Sequence, residues 1–176
     1  TSLDPNYKPF VHPGCLSTLA DLQRMKAKYE AGAQPWAAGF DALASNPKSS
    51  ANYTAYPHPT PCRGDCVVED YLTMCRDANA AYQCALRYRI TGDPAFADAA
   101  VRHMDGYANT VQYFQGSSDV LLMLGAQGFQ WACAAELMRD YQPWVDSGGF
   151  GRFQSFLLNK FYANFDPPWY GNGLHA

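Results

Sequence analysis

Apolar positions recur along this chain at helical spacing. In 16–32, Leu19, Leu22, Met25 and Tyr29 share one face of a 3.6-residue repeat. Ser17 or Thr18 is placed to cap that helix, Asp21 falls in its first turn, and Gly32 suits its C-terminal end. A second helix is predicted from Pro35-Trp36, with Pro in the first turn, fading at Ser45-Asn46-Pro47. Further helical patterns cover 69–90, with Leu72, Cys75, Tyr82, Ala85 and Leu86 on the apolar side, and 93–111, opened by Asp93-Pro94 after Thr91-Gly92. An apolar helix follows over 120–141, where Gly125 and Gly128 allow a neighbour to come close, and a last one spans 150–162. Between the second and third helices, 46–67 carries Pro47, Pro57, Pro59, Pro61 and the pair Cys62 and Cys66, which predicts a long irregular loop pinned by a crosslink. No stretch alternates as a strand does. The expectation is one all-α domain over 1–176, built from about six main helices in antiparallel hairpins.

Composition narrows the function classes. With 48% hydrophobic and 16% charged residues the chain suits a compact globule. The net charge of -3 comes with scattered Lys and Arg, which argues against nucleic acid as a partner. No continuous apolar run approaches the roughly 18 residues of a membrane span, so no membrane is expected. Aromatic residues make up 15% of the chain, which fits a large core or a sugar-facing groove. Six Cys and the sequon Asn52-Tyr53-Thr54 point to a secreted protein glycosylated at Asn52. Most Cys are expected to be oxidised, with Cys62–Cys66 as the local bridge. Cys75 and Cys84 lie nine positions apart on one helix, too far along its axis at about 1.5 Å per residue to bridge each other. Each needs a partner elsewhere, and Cys15 and Cys133 remain. No C-x2-C pair with a nearby His supports a metal site, and no cofactor is expected. G-x-S-x-G, P-loop and H-E-x-x-H motifs are absent.

Three runs in order, 11–36, 79–109 and 117–141, carry H-P-G-x-L, T-G-D-x-x-F-A-D and A-A-E-x-M-R-D-Y. In these the chain resembles the N-terminal region of alginate-lyase-like polysaccharide lyases, from Phe10 to about Tyr162. The resemblance implies an (α/α) toroid, of which this chain supplies the front part and a remaining C-terminal part of the same enzyme the rest. It also implies cleavage of a uronate-containing polysaccharide such as alginate or glucuronan by β-elimination. That chemistry neutralises the C5 carboxylate, removes the C5 proton and protonates O4. In the matching region stand Asn172 and His175, as Asn-Gly-Leu-His and not as a contiguous Asn-His pair. They are the catalytic candidates. An acid Tyr would come from Tyr71, Tyr162 or Tyr170, none of which matches the family's position. An acidic polysaccharide or oligosaccharide is the expected partner, and Asp119, Gln127, Gln130, Trp131 and Tyr170 are the candidate substrate-binding residues. Trp131 keeps a second reading, as ordinary core. The alternative function is a non-catalytic carbohydrate-binding or secreted effector protein of the same fold. Arg63-Gly64-Asp65 spells an integrin-binding tripeptide of a kind that arises readily by chance. His12 is read as an N-terminal tether and His103 as a solvated or lightly paired side chain.

Overall fold

A computed structural model describes residues 10–165. These are all-α: α1 (Leu19–Glu30), α2 (Trp36–Ser45), α3 (Tyr71–Thr91), α4 (Pro94–Thr110), α5 (Asp119–Met138), α6 (Gln142–Asp146), α7 (Gly149–Phe156) and a last turn, α8 (Ala163–Phe165). Thr18 caps α1 in a reciprocal box: its Oγ1 accepts from Asp21 N at 3.2 Å, and its own N–H donates to Asp21 Oδ2 at 3.0 Å. Pro35 stands one position earlier than expected, as the N-cap of α2.

The α3–α4 hairpin is the centre of the molecule, and local sequence dictates its turn. Gly92 adopts φ +76°, a left-handed conformation that costs a glycine little, and its N–H closes on Tyr88 O at 2.7 Å. Asp93 then caps α4 by accepting from Ala95 N at 2.9 Å, with Pro94 at the first helical position. Ala78, Ala81, Ala85, Ala97 and Ala100 are fully buried, and such small side chains let α3 and α4 pack closely. α5 packs on both. The buried face of α3 runs through Met74, Ala78, Ala81, Cys84 and Ala85, whereas Leu72, expected on it, is half exposed.

α5 is long and apolar enough to cross a membrane by length and composition alone. Here it buries Val120, Met123, Leu124, Trp131, Ala134, Leu137 and Met138 in the common core. Its other face leaves Leu122 and Phe129 exposed.

The expected final helix over 150–162 differs in detail. α7 ends at Phe156, and Leu157–Tyr162 continues as π turns. Phe156 and Phe161 are both buried with ring centroids 5.4 Å apart. A five-residue spacing places both on one face only if the helix widens locally. Phe161 in turn lies over Gly128, where an added Cβ would meet its ring at 3.2 Å, so the close approach anticipated at that glycine is met. The short α6, absent from the expectation, is anchored by buried Trp144, whose Nε1–H donates to Asp105 Oδ1 at 3.0 Å.

The irregular segment is a fastened loop. It holds a 3-10 turn (Pro47–Ser49) and β1 (Cys62–Arg63), which pairs in parallel with β2 (Gln115–Gly116). Arg87 Nη1–H donates to Ser49 O at 3.0 Å and Arg102 Nη2–H to Ala51 O at 2.8 Å, so two helices hold the loop by its carbonyls. Cys62 and Cys66 form a disulfide with Cα atoms 6.3 Å apart. Cys15, Cys75, Cys84 and Cys133 are free thiols, which departs from the expectation that most cysteines are paired.

Candidate functional site

The loop 50–70 closes over the start of α3 and one flank of α4. Between them opens a cavity of about 460 Å³ lined by Tyr56, His58, Asp70, Thr73, Met74 and Tyr107, among others. A second cavity, of about 470 Å³, adjoins it beside the Cys62–Cys66 bridge and includes Thr60, Val67, Val68 and Gln115. His58 and Asp70 line both, so the two cavities adjoin with this pair between them, and together they are called the trough.

Asp70 stands where an Asp would ordinarily cap α3, yet it makes no side-chain cap bond. Its carboxylate instead accepts from Cys62 N at 2.7 Å and faces His58 Nδ1 at 3.3 Å. His58 Nδ1 also lies 3.2 Å from Thr60 N, a donor. One nitrogen cannot both accept from Thr60 and donate to Asp70, so a bare Nδ1 takes the Thr60 bond and an Nδ1 that carries a proton takes the Asp70 one. In either state Nε2 is left for another group. That arrangement suits a proton carrier or a polar contact to a ligand.

Beneath the first cavity sits Asp77, fully buried on α3. Its Oδ1 accepts from Tyr53 Oη at 2.8 Å; its Oδ2 accepts from Tyr56 N at 2.7 Å and Tyr107 Oη at 2.8 Å. One carboxylate thus ties the loop to both central helices. Burial and then the Asp77 carboxylate push the Tyr107 and Tyr53 hydroxyls well above the usual phenol range, so both stay protonated donors. Asp77 is therefore the keystone of the cavity floor and not a free acid.

His103 corrects an expectation. It is 1% exposed, not solvated, and neither ring nitrogen has a hydrogen-bond partner. Its ring meets the Tyr53 ring edge to face at 5.6 Å. Burial, reinforced by neighbouring Arg102, lowers its pKa to about 4, so it is neutral at pH 7.

The residues expected to bind substrate do not assemble into one site. Trp131 is completely buried, packed on Tyr107 at 4.7 Å and near Phe153 at 6.0 Å, and cannot stack on a sugar; its core reading is the right one. Asp119 is exposed at the start of α5 beside Gly64 of the disulfide loop. Gln127 and Gln130 lie about 12–16 Å further along the same helix, half-buried, each with an inward, unpartnered Oε1. None of these four lines the trough. Tyr170, Asn172 and His175 lie outside the described residues. Among the other Tyr candidates, Tyr71 lies under the Arg63 guanidinium at 4.5 Å and Tyr162 is exposed on the π turns. That same Arg63 stacking holds the first residue of the Arg-Gly-Asp tripeptide against the protein, leaving Asp65 exposed alone. His12 does act as a tether, its Nδ1 contacting Glu136 on α5. Among the described residues no cluster of His, Cys, Asp and Glu could hold a metal ion.

The trough residues His58, Asp70, Asp77 and Tyr107 are not marked out as a site by any sequence motif. Asp77 carries a signal, because it interrupts an otherwise apolar stripe between Met74 and Ala81. His58, between two prolines, carries only its place in the long loop. No family, curated protein or solved structure matches this chain.

Proposed function

We propose that this chain belongs to a secreted polysaccharide lyase, or is the N-terminal portion of one, that cleaves a uronate-containing polysaccharide such as alginate or glucuronan by β-elimination. The observation that carries the reading is the trough: two adjoining cavities with His58 and Asp70 between them. A polymer needs successive subsites, and a paired cavity offers them where one closed pocket would not. Helical hairpins such as that of α3 and α4 are the kind of unit from which an (α/α) toroid is built. Leu122 and Phe129 on α5, with Leu158, Tyr162 and Phe165 after α7, form exposed apolar stripes. Further helical hairpins of the same enzyme would cover such a surface.

In this reading His58 presents Nε2 to a bound sugar, oriented by Thr60 or Asp70 according to whether Nδ1 carries a proton. Among the described residues neither cavity includes a Lys or Arg; the resemblance assigns neutralisation of the C5 carboxylate to Asn172 and proton abstraction to His175. Asn52 and Thr54 of the sequon are exposed, which suits glycosylation of a secreted chain.

The lack of cationic lining among the described residues favours a second reading, a non-catalytic carbohydrate-binding or effector protein that uses the same trough. The two part on one assay. Given alginate or glucuronan, the 176-residue chain alone produces little or no ultraviolet absorbance from unsaturated uronate ends, whereas the chain joined to the remainder of its enzyme produces a clear rise that His175→Ala abolishes. No rise in the longer protein leaves the non-catalytic reading standing in place of the lyase. A His175-dependent rise from the 176 residues alone overturns the need for a further part.

A further inference from the structure

The segment before α1 crosses α5 and is held there by more than shape. His12 Nδ1 contacts Glu136, and Gly14 N donates to Glu136 Oε1 at 3.0 Å. One turn back along α5 is Cys133, 4% exposed, and Cys15 directly follows Gly14, so the Glu136 clamp brings the two cysteines next to each other. Cys15 itself is exposed and sits at φ +58°, a left-handed conformation uncommon for a residue with a side chain. Cys75 and Cys84 are placed differently. Cys84 is buried with its thiol toward the carbonyls of Lys48 and Ser50, at 3.8 and 3.7 Å.

We infer that Cys15 and Cys133 are a second disulfide site, closed by a small disulfide oxidant of the glutathione class, which bolts the N-terminal segment to the core helix. Exposed Cys15 meets the oxidant first. Its thiolate attacks one sulfur of oxidised glutathione, forming a mixed disulfide and releasing one glutathione thiol. Cys133 then loses its proton and attacks Cys15 Sγ, and the second glutathione thiol leaves. Two protein thiols give up two electrons and two protons, and one external disulfide is reduced to two thiols. Burial, then the adjacent Cys15, push the Cys133 thiol up to about 11, which suits it to the second, intramolecular step, where proximity offsets weak ionisation. The bridge closes a long loop of chain, the case in which a crosslink restricts the unfolded state most. This inference concerns the scaffold and does not depend on the trough's ligand.

The test is a thiol map. The chain is folded in a buffer of reduced and oxidised glutathione, denatured without reductant, alkylated and digested for mass spectrometry. The expected result is alkylation at Cys75 and Cys84 alone, with a crosslinked peptide pair carrying Cys15 and Cys133. Cys15→Ser, a change at an exposed position, then exposes Cys133 to alkylation and lowers Tm by roughly 8 °C relative to the oxidised protein. Alkylated Cys15 in the unsubstituted chain, or Cys15 joined to Cys75 or Cys84, overturns the inference.

Discussion

Asp77→Ala lowers the stability of this protein by about 4 kcal/mol, to the edge of folding for a domain whose total is typically about 5–15 kcal/mol. The reason lies in what remains. Tyr53, Tyr107 and the Tyr56 amide all point at the carboxylate from 2.7–2.8 Å. Removing it strands three donors, of which the Tyr107 hydroxyl has almost no access to water. Each stranded donor forfeits about 1–3 kcal/mol. Asp77→Asn keeps the shape, still accepts at one oxygen and can donate its amide to a Tyr hydroxyl, so it costs about 1–2 kcal/mol. Urea unfolding followed by circular dichroism measures both. Equal losses for Ala and Asn, or a loss under about 1 kcal/mol for Ala, would mean that the loop is held by its arginine contacts and not by Asp77.

The second large effect is one of pH. His103 titrates near 6.5 when unfolded and at about 4 when folded, so the unfolded chain binds the extra proton first. The favourable term is present in full above pH 6.5, shrinks as pH falls, and is lost once pH drops through 4. The shift corresponds to about 3 kcal/mol. The groups around it are the Arg102 cation on its own helix, which opposes its charging, and the Tyr53 ring from the loop, which gives no hydrogen bond. Carboxylates elsewhere also titrate in this range, so a single curve does not isolate the effect. Between pH 7 and pH 4 the natural protein should lose about 3 kcal/mol more than His103→Met, which fills similar space without a titrating group. Parallel losses in the two proteins would refute a buried neutral His103.

These two residues also show where sequence reading stops. The capping box at Thr18 and Asp21, the Gly92-Asp93-Pro94 junction and the all-α class rest on contacts within a few residues, and those are legible. The strands β1 and β2 are not, because two residues cannot display alternation and their partner lies some fifty positions away. His103 looks polar beside Arg102 and Asp105, yet its face of α4 turns inward beneath the loop, a fact set by the packing of Tyr53. Trp131 stays open between groove and core in the sequence because one helix of mixed character gives no direction until its neighbours are placed. The buried acid on α3 is visible as a break in the apolar stripe; its three donors come from segments remote in the chain.

Whether the trough holds an acidic sugar polymer is directly measurable. Native electrophoresis of the 176-residue chain runs through gels containing alginate or glucuronan, against a gel with a neutral glucan. Retardation by one of the uronate polymers is expected, with a loss of at least about tenfold in apparent affinity, or about 1.4 kcal/mol, for His58→Ala, a surface change that leaves the circular dichroism spectrum intact. Equal mobility in all gels, or retardation that His58→Ala does not alter, would contradict a sugar-binding trough.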